Sequence, residues 1–127
     1  MRTRTATCFA LVLSLLLAAC GKEEAATPYA VEEIPLSQIA DDLAAGKTTA
    51  VAVTEAYIAR IKAYNSAVNG VIGIMPDARE QAAASDQRRK DGKPLGPMDG
   101  IPILIKDNID AVGMPTTAGS FALVDNV

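Results

Sequence analysis

One stretch of the sequence decides the predicted fold class: residues 96–109, which read Gly-Pro-Met-Asp-Gly-Ile-Pro-Ile-Leu-Ile-Lys-Asp-Asn-Ile. A loop rich in glycine and proline opens this stretch, and an unbroken apolar run, residues 101–105, follows and ends at Lys106. A short apolar run bounded by turn residues is typical of a β-strand covered on both faces. A second run, residues 71–75, ends at Pro76. Together the two runs predict two interior strands.

Three helices are predicted around these strands. Ser37 is the candidate N-cap of a short helix that a glycine ends. The Thr48-Thr49 pair can cap a longer helix, whose apolar stripe continues to about Asn65. Residues 77–90 form the third helix, which Asp91-Gly92 ends. The alternation of helices with fully apolar runs favours an α/β domain with a covered sheet.

Two strands are too few for such a sheet, which typically has roughly four to six. The chain has 127 residues, and the part after Lys106 is a loop rich in glycine and threonine. We therefore expect residues 37–127 to be the truncated N-terminal part of a larger domain.

The first segment has the layout of an export signal. Residues 1–19 carry two arginines and then a short apolar stretch, residues 8–17, too short to span a bilayer. The run Leu17-Ala18-Ala19-Cys20-Gly21 resembles the lipobox of bacterial lipoproteins, in which the cysteine carries the acyl chains. This predicts a lipidated Cys20, a tether over residues 20–36, and a membrane-anchored lipoprotein of the cell envelope, on its periplasmic face or the cell surface. The alternative is an ordinary signal peptide with an incidental cysteine.

Composition narrows the possible chemistry. The chain has no histidine, so it cannot by itself form a Ser-His-Asp triad or a histidine metal site. Its two cysteines, Cys8 and Cys20, both precede the globular part, which excludes a disulfide framework there. The net charge is −3 without a basic stripe, which disfavours nucleic-acid binding.

Lys106 is the candidate catalytic residue. A lysine at the carboxyl end of a buried strand would be desolvated, which lowers its pKa and favours a neutral amine that can act as a base. Active sites of open α/β sheets lie at the same ends of strands. The alternative is a lysine that merely marks where a strand meets water, with its ammonium group solvated.

A family resemblance favours the catalytic interpretation. Residues 96–109 resemble a motif of the amidase signature family, and Met114–Ser120 and the helical segment Ala56–Ile61 continue the similarity. The resemblance covers about residues 37–127. It implies an α/β/α sandwich with a mixed sheet, of which this chain supplies the N-terminal helices and first strands.

The resemblance also implies a mechanism. Family members hydrolyse amides with a Ser-cisSer-Lys triad, without metal or cofactor, and the lysine that matches Lys106 is the base. The Gly/Ser-rich stretch that supplies both serines and the oxyanion hole has no match here, so these residues are expected beyond Val127 and the chain alone is expected to be inactive. The implied substrate is a small-molecule amide.

Several polar residues near Lys106 are candidates for orienting it or for shaping its loop. Ordinary turn chemistry is the equally weighted alternative for four of them, whereas Ser120 is expected to shape the loop. Ser120 follows a glycine but lacks the Gly-x-Ser-x-Gly pattern of a hydrolase nucleophile. The set is Asp107, Asn108, Thr116, Thr117 and Ser120.

Two other functions stay open. One is a lipid-anchored, non-catalytic binding module that has kept the front part of the family's domain. The other is a component of a tRNA-dependent amidotransferase, which works in the cytoplasm; the predicted export signal disfavours it.

Overall fold

A computed structural model describes residues 28–127 of the chain. Three α-helices follow one another: α1, Leu36–Ala44; α2, Ala50–Val68; and α3, Ala78–Lys90. A short 3₁₀ helix, Phe121–Leu123, lies near the end. The predicted signal, residues 1–19, the lipidation site Cys20 and part of the predicted tether lie outside the described residues.

The first helix begins earlier than predicted. Its N-cap is Pro35, and Ser37 lies inside the first turn, so the predicted cap is wrong. Proline presets a φ near −65°, and the carbonyl of Pro35, whose φ is −63°, accepts hydrogen bonds from Gln38 and Ile39. The predicted glycine stop is confirmed, because Gly46 follows the helix with a φ of 68°.

The second helix has Thr49 as its N-cap, and the Thr49 hydroxyl accepts a hydrogen bond from the Ala52 amide at 3.0 Å. It runs three residues beyond the predicted end and stops where Asn69 adopts a left-handed conformation, with φ 50°. Asparagine tolerates this conformation better than most residues do.

The third helix ends as predicted, with Asp91 as C-cap and Gly92 at a φ of 68°. Arg88, Arg89 and Lys90 occupy its last turn. Cations there interact favourably with the negative end of the helix dipole.

The core lies where the three helices meet. Its buried members are small or aliphatic, which lets α2 and α3 approach closely. They are Ile39, Leu43, Ala50, Val53 and Ala82. Of the stripe predicted on α2, Val53 is fully buried, whereas Tyr64 is 58% exposed, so only the first half of that stripe faces the core.

The interior strands are not observed. Residues 28–127 contain no β-strand, and neither 71–75 nor 101–105 has a strand beside it. Ile72 is 88% exposed and Leu104 is 78% exposed, so the expected burial of both runs is wrong for the described part of the chain. The physical reason is that a strand needs a neighbouring strand to pair its backbone groups. The sheet of the predicted α/β fold stays a prediction.

Among residues 28–127, no helix is both long enough and apolar enough to cross a bilayer.

Candidate active site

Lys106 follows the apolar run, and its side chain is exposed. The preceding Leu104 and Ile105 are 78% and 48% exposed and do not shield it. The predicted desolvation of this amine is therefore wrong for the described residues, because no second layer covers the run. Within residues 28–127, Lys106 forms no ion pair.

The residue after Lys106 is held in a small hydrogen-bonded loop. One carboxylate oxygen of Asp107 accepts from the Thr117 amide at 2.8 Å, and the other accepts from the Thr117 hydroxyl at 2.5 Å. The Ala118 amide donates to the Asp107 carbonyl at 2.9 Å. The Thr117 hydroxyl, followed by the Thr117 amide, holds the pKa of the Asp107 carboxyl below its ordinary value. These bonds bring Asp107 and Thr117 together directly beside Lys106.

The other candidate residues lie in other parts of the loop. Thr116 is buried, and its backbone pairs with Asn126: the Thr116 amide donates to the Asn126 carbonyl, and the Asn126 side chain donates to the Thr116 carbonyl. Ser120 is the N-cap of the 3₁₀ helix, and its hydroxyl accepts from the Ala122 amide. Asn108 is exposed. These contacts are turn chemistry that keeps the loop closed.

A buried acidic residue upstream was not predicted as part of the site. The Asp99 side chain is 4% exposed and accepts two hydrogen bonds from Arg88, through Nε at 3.0 Å and Nη2 at 2.5 Å. Its carboxylate also accepts from the Leu95 amide, and its carbonyl accepts from the Arg89 side chain. The Arg88 guanidinium holds the pKa of this carboxyl far below its usual range. The sequence shows the arginines at the end of α3 but not their partner.

Another acidic side chain that the sequence did not reveal joins two helices. Asp86 on α3 accepts hydrogen bonds from the backbone amides of Ala50 and Val51, at 2.6 and 3.1 Å. The N-terminus of a helix leaves such amides unpaired within the helix itself. Asp86 therefore fixes the start of α2 to α3.

An open groove of about 470 Å³ lies between α2, α3 and the apolar run. Its walls include Thr54 and Ala82 from the helices, and Gly100, Ile103 and Ile105 from the loop and the run; Lys106 is not among them. No group of three or more acidic, histidine or cysteine side chains that could hold a metal ion occurs within residues 28–127.

Comparison with known proteins places this arrangement in a family. The model of the Amidase family matches residues 52–127, which include α3, Asp99, Lys106 and the Asp107 loop. The chain belongs to the amidase family. The predicted resemblance is thereby confirmed.

Among solved structures, the peptide amidase from Stenotrophomonas maltophilia is similar to this chain with a TM-score of 0.70 and 40% identity. The similarity covers 73% of this chain and 20% of the peptide amidase. A crystal structure of the peptide amidase with the competitive inhibitor chymostatin matches equally well. These neighbours are consistent with the predicted α/β class.

Curated relatives include components of another enzyme. A glutamyl-tRNA(Gln) amidotransferase subunit from Chloroflexus aurantiacus is 54% identical over 79 residues, which cover 61% of this chain and 16% of the relative. The corresponding protein of Streptomyces coelicolor is 40% identical over 89 residues, 69% of this chain and 18% of the relative. The chain thus spans about a sixth of the length of the curated relatives it matches.

Proposed function

We propose that this chain is the base-carrying part of an amidase that hydrolyses a carboxylic amide to an acid and ammonia or an amine. The observation that carries the proposal is the family match over residues 52–127, which contains Lys106 and the residues that hold its loop. The structural similarity to peptide amidase supports hydrolysis of a small-molecule amide.

In the proposed mechanism, Lys106 is the base of a Ser-cisSer-Lys triad whose two serines are supplied by polypeptide beyond residue 127. The neutral amine accepts a proton from the bridging serine, which takes one from the nucleophilic serine as that oxygen attacks the amide carbon. The C–N bond then breaks, the leaving amine takes up a proton, and water hydrolyses the acyl-enzyme. No metal or cofactor takes part.

Lys106 is exposed, whereas the base of this mechanism has to be shielded from water, so the mechanism requires a cover over Lys106. The apolar run beside it supports such a cover: Ile103, Leu104 and Ile105 are all exposed. Adjacent exposed apolar side chains mark a surface that another segment covers. We propose that further strands of the amidase domain pair with residues 101–105 and desolvate the amine.

The decisive variant is Lys106→Ala in the complete protein, assayed on a panel of small amides and C-terminal peptide amides. Turnover is expected to fall by about 100-fold or more, since removal of a general base typically costs 10²–10⁴-fold. Lys93→Ala is the matched control, because Lys93 is also an exposed lysine in the chain that follows α3. Near-normal turnover by Lys106→Ala would refute the assigned role.

The same assay decides the non-catalytic alternative. If the unsubstituted complete protein hydrolyses no amide in the panel, the binding-module interpretation replaces the enzyme. The 127-residue chain by itself is expected to show no turnover, because it lacks the proposed serines. Turnover by that chain alone would contradict the proposed division of the triad.

For the N-terminal segment we propose lipidation of Cys20, with a membrane-anchored protein of the cell envelope as the result. Cys20→Ser should abolish palmitate incorporation and move the protein from the membrane to the soluble fraction. Cys8→Ser is the control, because Cys8 lies within the apolar stretch of the predicted signal, before Cys20. Unchanged fractionation of Cys20→Ser would exclude the anchor.

A second candidate is a component of a tRNA-dependent amidotransferase. The 54% identity to the Chloroflexus aurantiacus relative favours it. The predicted export signal and the acidic net charge count against it. Cytoplasmic location of the protein, together with glutamine-dependent amidation of a charged tRNA by its complex, would establish this function in place of the envelope amidase.

A further inference from the structure

The loop before the apolar run is attached to α3 by a shielded ion pair. Arg88 donates two hydrogen bonds to the Asp99 carboxylate, which is 4% exposed, and Arg89 donates to the Asp99 carbonyl. A paired contact of this kind between guanidinium and carboxylate restricts orientation as well as distance. We call this contact the Arg88–Asp99 latch.

The next residue is held by close packing. Gly100 has a φ of 88°, and a Cβ placed on it would lie 2.5 Å from the Ser85 hydroxyl oxygen and 2.7 Å from the Ala50 Cβ. Its backbone therefore touches both α3 and the start of α2. Ile101 follows and packs against the buried core. The latch thus sets where the apolar run leaves the helices.

The other end of the run has its own anchor. Asp107 is held by the Thr117 amide and hydroxyl, and Lys106 immediately precedes it. Between the two anchors, the exposed residues 103–105 have no backbone hydrogen-bond partner within residues 28–127. The Lys106 backbone therefore lies between a start held at Asp99 and an end held at Asp107.

We propose that Asp99, through Arg88, is a positioning residue for Lys106: it fixes the start of the segment whose far end carries the base. This inference rests on the proposed amidase function. Its physical basis is that a displacement of about 1 Å at a reacting group can lower turnover by about 100-fold. Nothing in the reaction requires Asp99 to touch the substrate.

The chain offers a matched control in a second paired contact. Arg79 on α3 binds both carboxylate oxygens of Glu55 on α2, and both side chains are about half exposed. This contact joins α2 to α3 and involves no residue of the loop at residues 99–101. Glu55→Gln therefore reports the effect of losing a helix-to-helix ion pair without loss of the latch.

The kinetic test uses the complete protein at a temperature where all variants are fully folded by circular dichroism. Asp99→Asn is expected to lower kcat about tenfold or more with KM within about twofold, whereas Glu55→Gln leaves both unchanged. Arg88→Lys keeps the positive charge but loses the pair of guanidinium donors that bind both carboxylate oxygens. An intermediate kcat is therefore expected from a variant that folds. Equal kcat values for Asp99→Asn and Glu55→Gln would overturn the inference.

A spectroscopic test separates this inference from the proposed function. In two-dimensional NMR spectra of the complete protein, the backbone amide signals of Ile105 and Lys106 should shift in Asp99→Asn and stay in place in Glu55→Gln. If the unsubstituted protein hydrolyses no amide, the proposed function fails. The same amide signals still show whether Asp99 sets the position of Lys106. Unmoved signals in Asp99→Asn would refute it, whatever the activity.

Discussion

Gly100→Ala should strongly lower the local stability where the loop at residues 99–101 packs against α2 and α3. Gly100 has a φ of 88°, a conformation that costs a non-glycine residue about 1 kcal/mol. The added Cβ would also lie 2.7 Å from the Ala50 Cβ and 3.3 Å from the Ser85 Cβ, distances that only a backbone shift can relieve. Overpacking of this kind costs about 1–2 kcal/mol when partly relieved, so the expected total is about 2–3 kcal/mol.

Native-state hydrogen exchange measures this loss without assuming two-state unfolding. The informative amides are those of Ala50 and Val51, which donate to Asp86, and that of Ile101, which donates to the Met98 carbonyl. With about 1.36 kcal/mol for each factor of ten, their exchange should speed up about 30- to 150-fold.

Gly92→Ala is the control for the backbone contribution. Gly92 also has a positive φ, 68°, but no atom lies within 4 Å of an added Cβ. Only the conformational cost of about 1 kcal/mol applies, so exchange should speed up about fivefold. If both variants speed up exchange by the same factor, the close contact of Gly100 with Ala50 and Ser85 contributes nothing, and the expected overpacking cost is refuted.

The remaining predictions concern three acidic side chains. Arg88 lowers the folded-state pKa of Asp99 from its ordinary value of 3.8, so the stability from this pair is complete above about pH 5 and is lost as the pH falls below about 4. Asp99→Asn should remove that part of the acid dependence of helicity in a circular dichroism titration, and an unchanged titration would contradict it. Thr117→Val should speed exchange of the Ala118 amide, while Thr117→Ser, which keeps the hydroxyl donor to Asp107, should not. Asp86→Ala should destabilise the start of α2 by about 2 kcal/mol, seen as faster exchange of α2 amides than of α3 amides.

The helices could largely be predicted from local chemistry. Thr49 as a cap, the glycine after α1 and Asp91-Gly92 after α3 act through contacts within a few residues of the chain. The error at Ser37 has the same local origin, because Pro35 competes for the cap and presets the backbone two residues earlier. Such signals are read directly from neighbouring residues.

The site was only partly predictable. The motif made Lys106 and Asp107 candidates. The partner of Asp107 is Thr117, ten residues away, and nothing in the spacing specifies that contact. The contact of Asp99 was not predicted because it depends on Arg88, which reaches Asp99 only after α3 and the following loop have folded back. Long-range pairs of this kind have no periodic signal.

The family, the three helices and the position of the candidate base followed from the sequence alone, since a long motif and the turns of a helix depend on residues close together in the chain. The exposure of Lys106, the latch at Asp99 and the attachment of α2 to Asp86 were decided only by the tertiary structure. The reason is that burial and ion pairing depend on which surfaces meet. An apolar run such as residues 101–105 shows a capacity to be buried, but not which part of the polypeptide covers it.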